Sequence, residues 1–193
     1  MQTLFIGLTG TNASGKETVM ETLLEKLVGV TFSLSDEIRE EVRKRGLEIN
    51  RDSLRTIGNE LREKFGSAVL AERVAGKAQK EADKKVVVFV SIRNPAEVDF
   101  FRKRFGKSFV LVSVDAPLEI RYERAKKRRR EGEVELSIEE FREKEVKEMS
   151  PNAEGHEQSL QKIIEMADYT IINDGGLDKL EKEVEKFIRK YFY

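Results

Sequence analysis

Cysteine is absent from the 193-residue chain, which excludes a disulfide framework, a thiolate metal site and a catalytic thiol. Tryptophan is absent too, proline occurs three times and histidine once, at His156. With no cysteine or second histidine beside it, His156 makes a poor metal centre and reads as an ordinary surface or capping residue. Neither sign of charge is in excess: 36 Lys and Arg balance 36 Asp and Glu, so a general nucleic-acid or anionic-membrane surface is not expected. Any anion site must be local. No early apolar run is long enough for a signal peptide or a membrane span, and a soluble cytoplasmic protein is the expectation. What the chain has in plenty is charge, 37% of its residues, a composition shared by heat-adapted proteins and by proteins with long charged helices.

The length suits a single domain over residues 1–193. Thr3 to Leu8 is a nearly continuous apolar run, as in a strand covered on both faces, and Val30 to Leu34, Val86 to Val90, Phe109 to Val114 and Tyr169 to Ile172 are further short strands. Helical periodicity lies between them: Val19, Leu23, Leu24 and Leu27 form one stripe that Gly29 should stop, and Leu54, Ile57 and Leu61 form another. Pro95, after Asn94, sits well as the first residue of a helix. Strands alternating with helices imply an α/β fold with a parallel sheet and helices on both sides.

Between the first strand and the first helix runs Gly10-Thr11-Asn12-Ala13-Ser14-Gly15-Lys16-Glu17-Thr18. Two glycines five apart let successive backbone N–H groups point into one concavity, and a lysine directly after the second adds a mobile positive charge. The helix that follows contributes its unsatisfied N-terminal amides and the positive end of its dipole. This is a cradle for a nucleotide phosphate chain; a tight turn with an incidental lysine would leave both glycines and the lysine register unexplained. One position departs from the usual pattern: where a Ser or Thr hydroxyl normally binds magnesium, the chain has Glu17.

That loop, together with Ser35-Asp36-Glu37-Ile38-Arg39, Asn59-Glu60-Leu61-Arg62, Ser91-Ile92-Arg93-Asn94-Pro95, Arg121-Tyr122-Glu123-Arg124 and Ala167 to Asn173, resembles archaeal nucleotide-kinase-like P-loop proteins related to dephospho-CoA kinase. It is similar as well to the kinase-like domain attached to some deoxycytidylate deaminases. The resemblance implies a three-layer P-loop NTPase fold of the nucleoside-monophosphate-kinase type with a five-stranded parallel sheet. It implies a helical acceptor-binding segment at about residues 35–82 and a lid at about 121–150. It further implies ATP as donor and Mg2+ as cofactor, with Gly10 to Thr18 around the donor phosphates and lid arginines closing on the transferring group.

Two departures from the family pattern concern the metal. Many of these kinases resemble a Gly-Lys-Gly-Thr version of the loop, in which the second residue after lysine lies near the metal; Thr18 fits that register. Where relatives often end the third strand on an Asp, this chain has Ser91. Either Glu17 takes over the lost carboxylate, with Thr18 and Ser91 completing a rearranged set partly through water, or metal binding is impaired and the protein binds nucleotide with little turnover.

The remaining candidates each carry two readings. Asp36 follows the second strand and would orient an acceptor hydroxyl or take its proton; a first-turn helix role serves as well. Arg39 and Arg62 would contact an acceptor phosphate or form surface ion pairs. Arg93, just beyond a buried strand's C-terminal end, reads as a substrate-phosphate ligand ahead of a structural ion pair. Arg121, Arg124 and Arg128 share one helix face and read as lid and donor contacts, or as a basic face paired with the acidic stretch from Glu133 to Glu148, which is the better reading for Arg129 and Arg130. No aromatic residues interleave with that basic run, so a nucleic-acid partner is not expected. Asn173 and Gly175 border the donor base or form a plain turn. The expected activity is ATP-dependent phosphoryl transfer to a small nucleotide-like acceptor; the alternative is an ATP-binding regulatory protein. Acceptor identity and oligomeric state stay open at this point.

Overall fold

The computed structural model describes residues 3–81, 83–128, 136–149 and 159–192. His156, Arg129, Arg130 and residues 150–155 lie outside the described residues, as does part of the segment expected to form a lid. The chain runs β1 (Leu4–Gly10), α1 (Lys16–Leu27), β2 (Gly29–Ser33), α2 (Leu34–Lys44), α3 (Arg51–Phe65), α4 (Val69–Ala78), β3 (Val86–Val90) and α5 (Pro95–Phe105). It continues through β4 (Phe109–Asp115), α6 (Leu118–Lys127), α7 (Ile138–Met149), α8 (Leu160–Glu165), β5 (Tyr169–Ile172) and α9 (Leu177–Phe192). All pairings are parallel, in the order β2-β3-β1-β4-β5. The chain therefore switches direction across the sheet at β1. In an open α/β sheet the crevice at the strands' carboxyl ends beside such a switch is where ligands bind.

Burial on both faces explains why the three central strands, β1, β3 and β4, read as nearly unbroken apolar runs. One face packs Phe89, Phe101, Leu111 and Ile163 against α2 to α5 and α8, with the Phe89 and Phe101 rings stacked 4.3 Å apart between centroids. The other packs Ile6, Val88 and Val112 against Val19 and Leu23 of α1 and Leu180, Val184 and Phe187 of α9. Among the described residues no helix is long and apolar enough to cross a membrane.

Local chemistry sets the boundaries. Pro95 is the first residue of α5, and Asn94 caps it by accepting from the Ala96 N–H at 2.9 Å. Gly29 does not stop α1 as expected. Val28 takes the left-handed closing position, with φ 52°, and Gly29 opens β2 because a Cβ there would run into Val86.

Candidate functional site

The two glycines of the β1–α1 loop are required by its geometry. Gly15 holds φ 95° where a Cβ would collide with the Asn173 side-chain amide, and Gly10 holds φ 136° against the Val114 carbonyl. Ala13, at φ 57°, takes a third left-handed turn. The loop is closed from within: Ser14 Oγ donates to the Thr11 carbonyl at 2.9 Å, and Thr11 Oγ1 reaches Asp115 Oδ1 at 3.5 Å. Lys16 Nζ folds back to donate to the carbonyls of Gly10 (2.9 Å) and Thr11 (2.6 Å).

The end of β5 holds the loop from behind. Asn173 is buried; its Nδ2 donates to the Ser14 carbonyl at 2.8 Å and its N–H to the Asp115 carbonyl at 2.7 Å. Arg124 of α6 spans the same joint, donating to Asn173 O (3.1 Å), Asn173 Oδ1 (3.0 Å), Gly175 O (3.2 Å) and more distantly to Ser14 O (3.5 Å). Next in the chain, Asp174 has its carboxyl held below the usual range, chiefly by a hydrogen bond from Lys179.

In front of the loop, at the strands' carboxyl ends, lies a cavity of about 590 Å³. Gly10, Asn12, Ala13, Gly15, Lys16, Glu17 and Thr18 line the side formed by this loop, together with Arg124 and Arg128. Ser33, Ser35, Arg39, Ser91 and Arg93 line the opposite wall. Five cationic side chains thus face a space with one lining carboxylate among the described residues, Glu17, which suits a polyanionic ligand. Glu17 stands free of the wall, its side chain 74% exposed and its Oε2 3.8 Å from Arg128 Nη1. Arg128 Nη2 also approaches Asn12 Oδ1 at 3.5 Å. Arg93 is exposed, and its guanidinium makes no ion pair among the described residues.

Several expected site residues are placed elsewhere. Arg62 is not an acceptor contact: its side chain is 1% exposed and binds Glu97, itself 0% exposed, through Nη2 (2.9 Å) and Nε (3.3 Å). The other oxygen of Glu97 accepts the N–H groups of Arg93 (2.8 Å) and Asn94 (3.1 Å), so this buried pair fixes the loop after β3 from α3. Asp36 is exposed and outside the cavity lining, paired with Arg39 at 3.0 Å. Thr11, Ser14, Asn173 and Gly175 shape the loop from behind without lining the cavity. Arg121 is buried against Glu145 and the Ala116 carbonyl, the structural of its two readings.

Ser33 and Ser35 went unrecognised as site residues. Ser33 Oγ lies 2.9 Å from Ser35 Oγ and donates to Ser91 Oγ at 3.2 Å, and Arg39 Nη1 donates to Ser35 Oγ at 2.7 Å. The signal was their position, one closing an edge strand and one opening the next helix at the sheet's carboxyl end. Among the described residues no three His, Cys, Asp or Glu side chains cluster as a metal site. The oxygen donors Glu17, Thr18 and Ser91 do line one cavity, and hard oxygen donors with room for water are what Mg2+ takes.

Comparison with known proteins places this geometry in a lineage. A family model described as an AAA domain matches residues 6–149. A UPF0200/UPF0201 protein of Archaeoglobus fulgidus is 37% identical over 186 residues, covering 96% of this chain and 55% of its own, so the chain spans about half of that relative's length. A UPF0200 protein of Pyrococcus abyssi is 33% identical over 192 residues and covered to 98% on both sides. Among solved structures, shikimate kinase from Acinetobacter baumannii superimposes with a TM-score of 0.55 at 20% identity, over 97% of this chain and 92% of that one, a likeness of fold. The chain belongs to the UPF0200 family, with a P-loop, kinase-like α/β fold.

Proposed function

We propose that the protein is an ATP-dependent kinase acting on a small nucleotide-like acceptor, of the nucleoside monophosphate or dephospho-CoA type. The observation that carries this reading is the single cavity with two unlike walls. One is a glycine loop with Lys16; the other bears Arg39 and Arg93 from the segments after β2 and β3. A donor phosphate chain on the first wall and an acceptor on the second would meet at the carboxyl end of β1, the alignment that in-line transfer needs.

Lys16 would leave the Gly10 and Thr11 carbonyls for the outer phosphates, and the loop amides would hold the inner ones. Arg128, already at the cavity, would neutralise charge on the transferring group, and Arg124 would keep the α6 end registered against the loop. Glu17 and Thr18 would hold Mg2+, which supplies charge neutralisation between the donor phosphates.

The test is ADP release from ATP and magnesium in the presence of a panel of ribo- and deoxyribonucleoside monophosphates and dephospho-CoA. At least one acceptor should raise ADP release well above the ATP-only rate. If none does while ATP still binds, the enzyme reading fails and the protein is an ATP-binding regulator.

A further inference from the structure

On the wall opposite the loop, the hydrogen bonds of one side-chain row all run the same way. Arg39 Nη1 donates to Ser35 Oγ at 2.7 Å, and a guanidinium can only donate. Ser33 gives its single proton to Ser91 Oγ at 3.2 Å, so the proton in the 2.9 Å contact between Ser33 and Ser35 comes from Ser35. Each link thus points from Arg39 towards Ser91. The proton left over is that of Ser91, and hydroxyls linked in one sense polarise one another.

Two local features set this row apart from ordinary helix chemistry. Ser33 occupies the position that usually caps the first turn of α2, yet its side chain makes no cap bond, because its hydroxyl is turned to Ser91. Ser91 holds φ 64°, a left-handed conformation unusual for a residue with a Cβ, at the strand end that faces the cavity. Arg93, whose guanidinium makes no ion pair among the described residues, stands two residues beyond.

We infer that the Ser35–Ser33–Ser91 row presents a hydrogen-bond donor to an anionic oxygen, and that the phosphoryl acceptor is a phosphomonoester rather than an alcohol. This rests on the kinase reading above. An alcohol acceptor must hand a proton to a base during transfer. The row cannot take it, since its far end is a permanently protonated guanidinium, and Arg39 separates Asp36 from the hydroxyls. A phosphomonoester oxygen carries its charge already. It forms a bond to the γ-phosphorus of ATP while the bond from that phosphorus to the β–γ bridging oxygen breaks; ADP leaves with that electron pair, and no proton is released. Arg39 and Arg93 suit the dianion. Ser91 then belongs to the acceptor site, leaving Glu17 and Thr18 for the metal.

The experiment is calorimetric titration of protein saturated with a non-hydrolysable ATP analogue and magnesium, using nucleoside 5′-monophosphates, inorganic phosphate, the matching nucleosides and dephospho-CoA. At least one monophosphate should bind tenfold or more tighter than its nucleoside. Ser91→Gly, which removes the hydroxyl and tolerates the positive φ, should weaken that binding about tenfold and change analogue affinity less than twofold. Ser33→Ala should do the same by interrupting the row, and Ser33→Thr should restore it. No binding of any phosphate compound, equal binding of an alcohol, or indifference to Ser91→Gly overturns the inference. ADP release seen only with an alcohol also overturns it, while leaving the kinase reading in place. Ser91-dependent monophosphate binding without ADP release leaves the oxyanion site standing and removes the kinase reading.

Discussion

The two walls of the cavity are held by different kinds of chemistry. The wall proposed for the donor is fixed through backbone: Gly10, Thr11, Ser14, Asn173 and Gly175 all supply carbonyls that are bonded by Lys16, Ser14, Asn173 or Arg124. The wall proposed for the acceptor is fixed through side chains, by the Arg62–Glu97 pair and the row from Arg39 to Ser91. A backbone cradle recognises what every nucleoside triphosphate shares, whereas a side-chain wall can be changed one residue at a time. Specificity in this fold should therefore reside on the acceptor side, and perturbations of the two walls should separate into different measurements.

The largest effect is expected at Glu97. Glu97→Gln leaves Arg62 as a buried charge without a counter-charge, which costs about 3–5 kcal/mol. Urea unfolding should show that loss. Adding Arg62→Met should recover most of it, because the Gln carbonyl still accepts from the Arg93 and Asn94 N–H groups. A neutral single variant would mean that the acceptor wall does not depend on this pair.

Lys16→Ala tests the donor wall. Its ammonium is the wall's mobile charge, and charge-assisted hydrogen bonds contribute about 1.5–3 kcal/mol each. Affinity for ATP, read by calorimetry, should fall by roughly ten- to a hundredfold on that scale. Monophosphate binding in the absence of ATP should stay within twofold, since Arg39, Arg93 and Ser91 are untouched. Equal losses for both ligands would erase the distinction between the walls.

This contrast also explains what was legible in the sequence. Gly10, Gly15 and Lys16 could be read because a phosphate cradle depends on backbone freedom and register, which leave a fixed spacing in the chain. The strands from Val86 and Phe109 were legible because burial on both faces demands runs of apolar residues. Arg62, in a helical stripe, and Arg93, after a strand, each had a phosphate reading and an ion-pair reading in sequence. Only the tertiary position of Glu97 buries one and leaves the other facing the cavity. Asp36 followed the same logic in reverse: its sequence position suited a role at an acceptor hydroxyl and a first-turn helix role equally, and the side chain pairs with Arg39 outside the lining while Ser35, one residue earlier, faces in.

Asn173→Ala probes how far the donor wall depends on its rear support. It removes the side-chain bond to the Ser14 carbonyl and the Oδ1 that accepts from Arg124, leaving on that Ser14 carbonyl only the 3.5 Å contact of Arg124, which keeps its bonds to the backbone carbonyls of residues 173 and 175. Losing a partner of a buried polar group costs about 1–3 kcal/mol. Both unfolding midpoint and ATP affinity should drop, with monophosphate binding preserved. A stability loss without any change in ATP affinity would show that the loop holds its shape without this joint.

The smallest structural effect is expected at Glu17, and there the comparison between walls is sharpest. Its carboxylate is largely exposed and lies 3.8 Å from Arg128 Nη1, a surface pairing that contributes about 0–1 kcal/mol. Glu17→Gln should therefore leave the unfolding free energy within roughly 0.5 kcal/mol. Beside phosphates, however, a carboxylate either repels the ligand or shares a cation with it. If Glu17 helps to hold magnesium, the Gln variant should need several-fold more Mg2+ to reach half-maximal ATP binding, with ATP affinity in EDTA equal to or higher than that of the parent protein. An unchanged magnesium requirement would assign Glu17 to Arg128 alone and leave Thr18 as the loop's metal-facing oxygen.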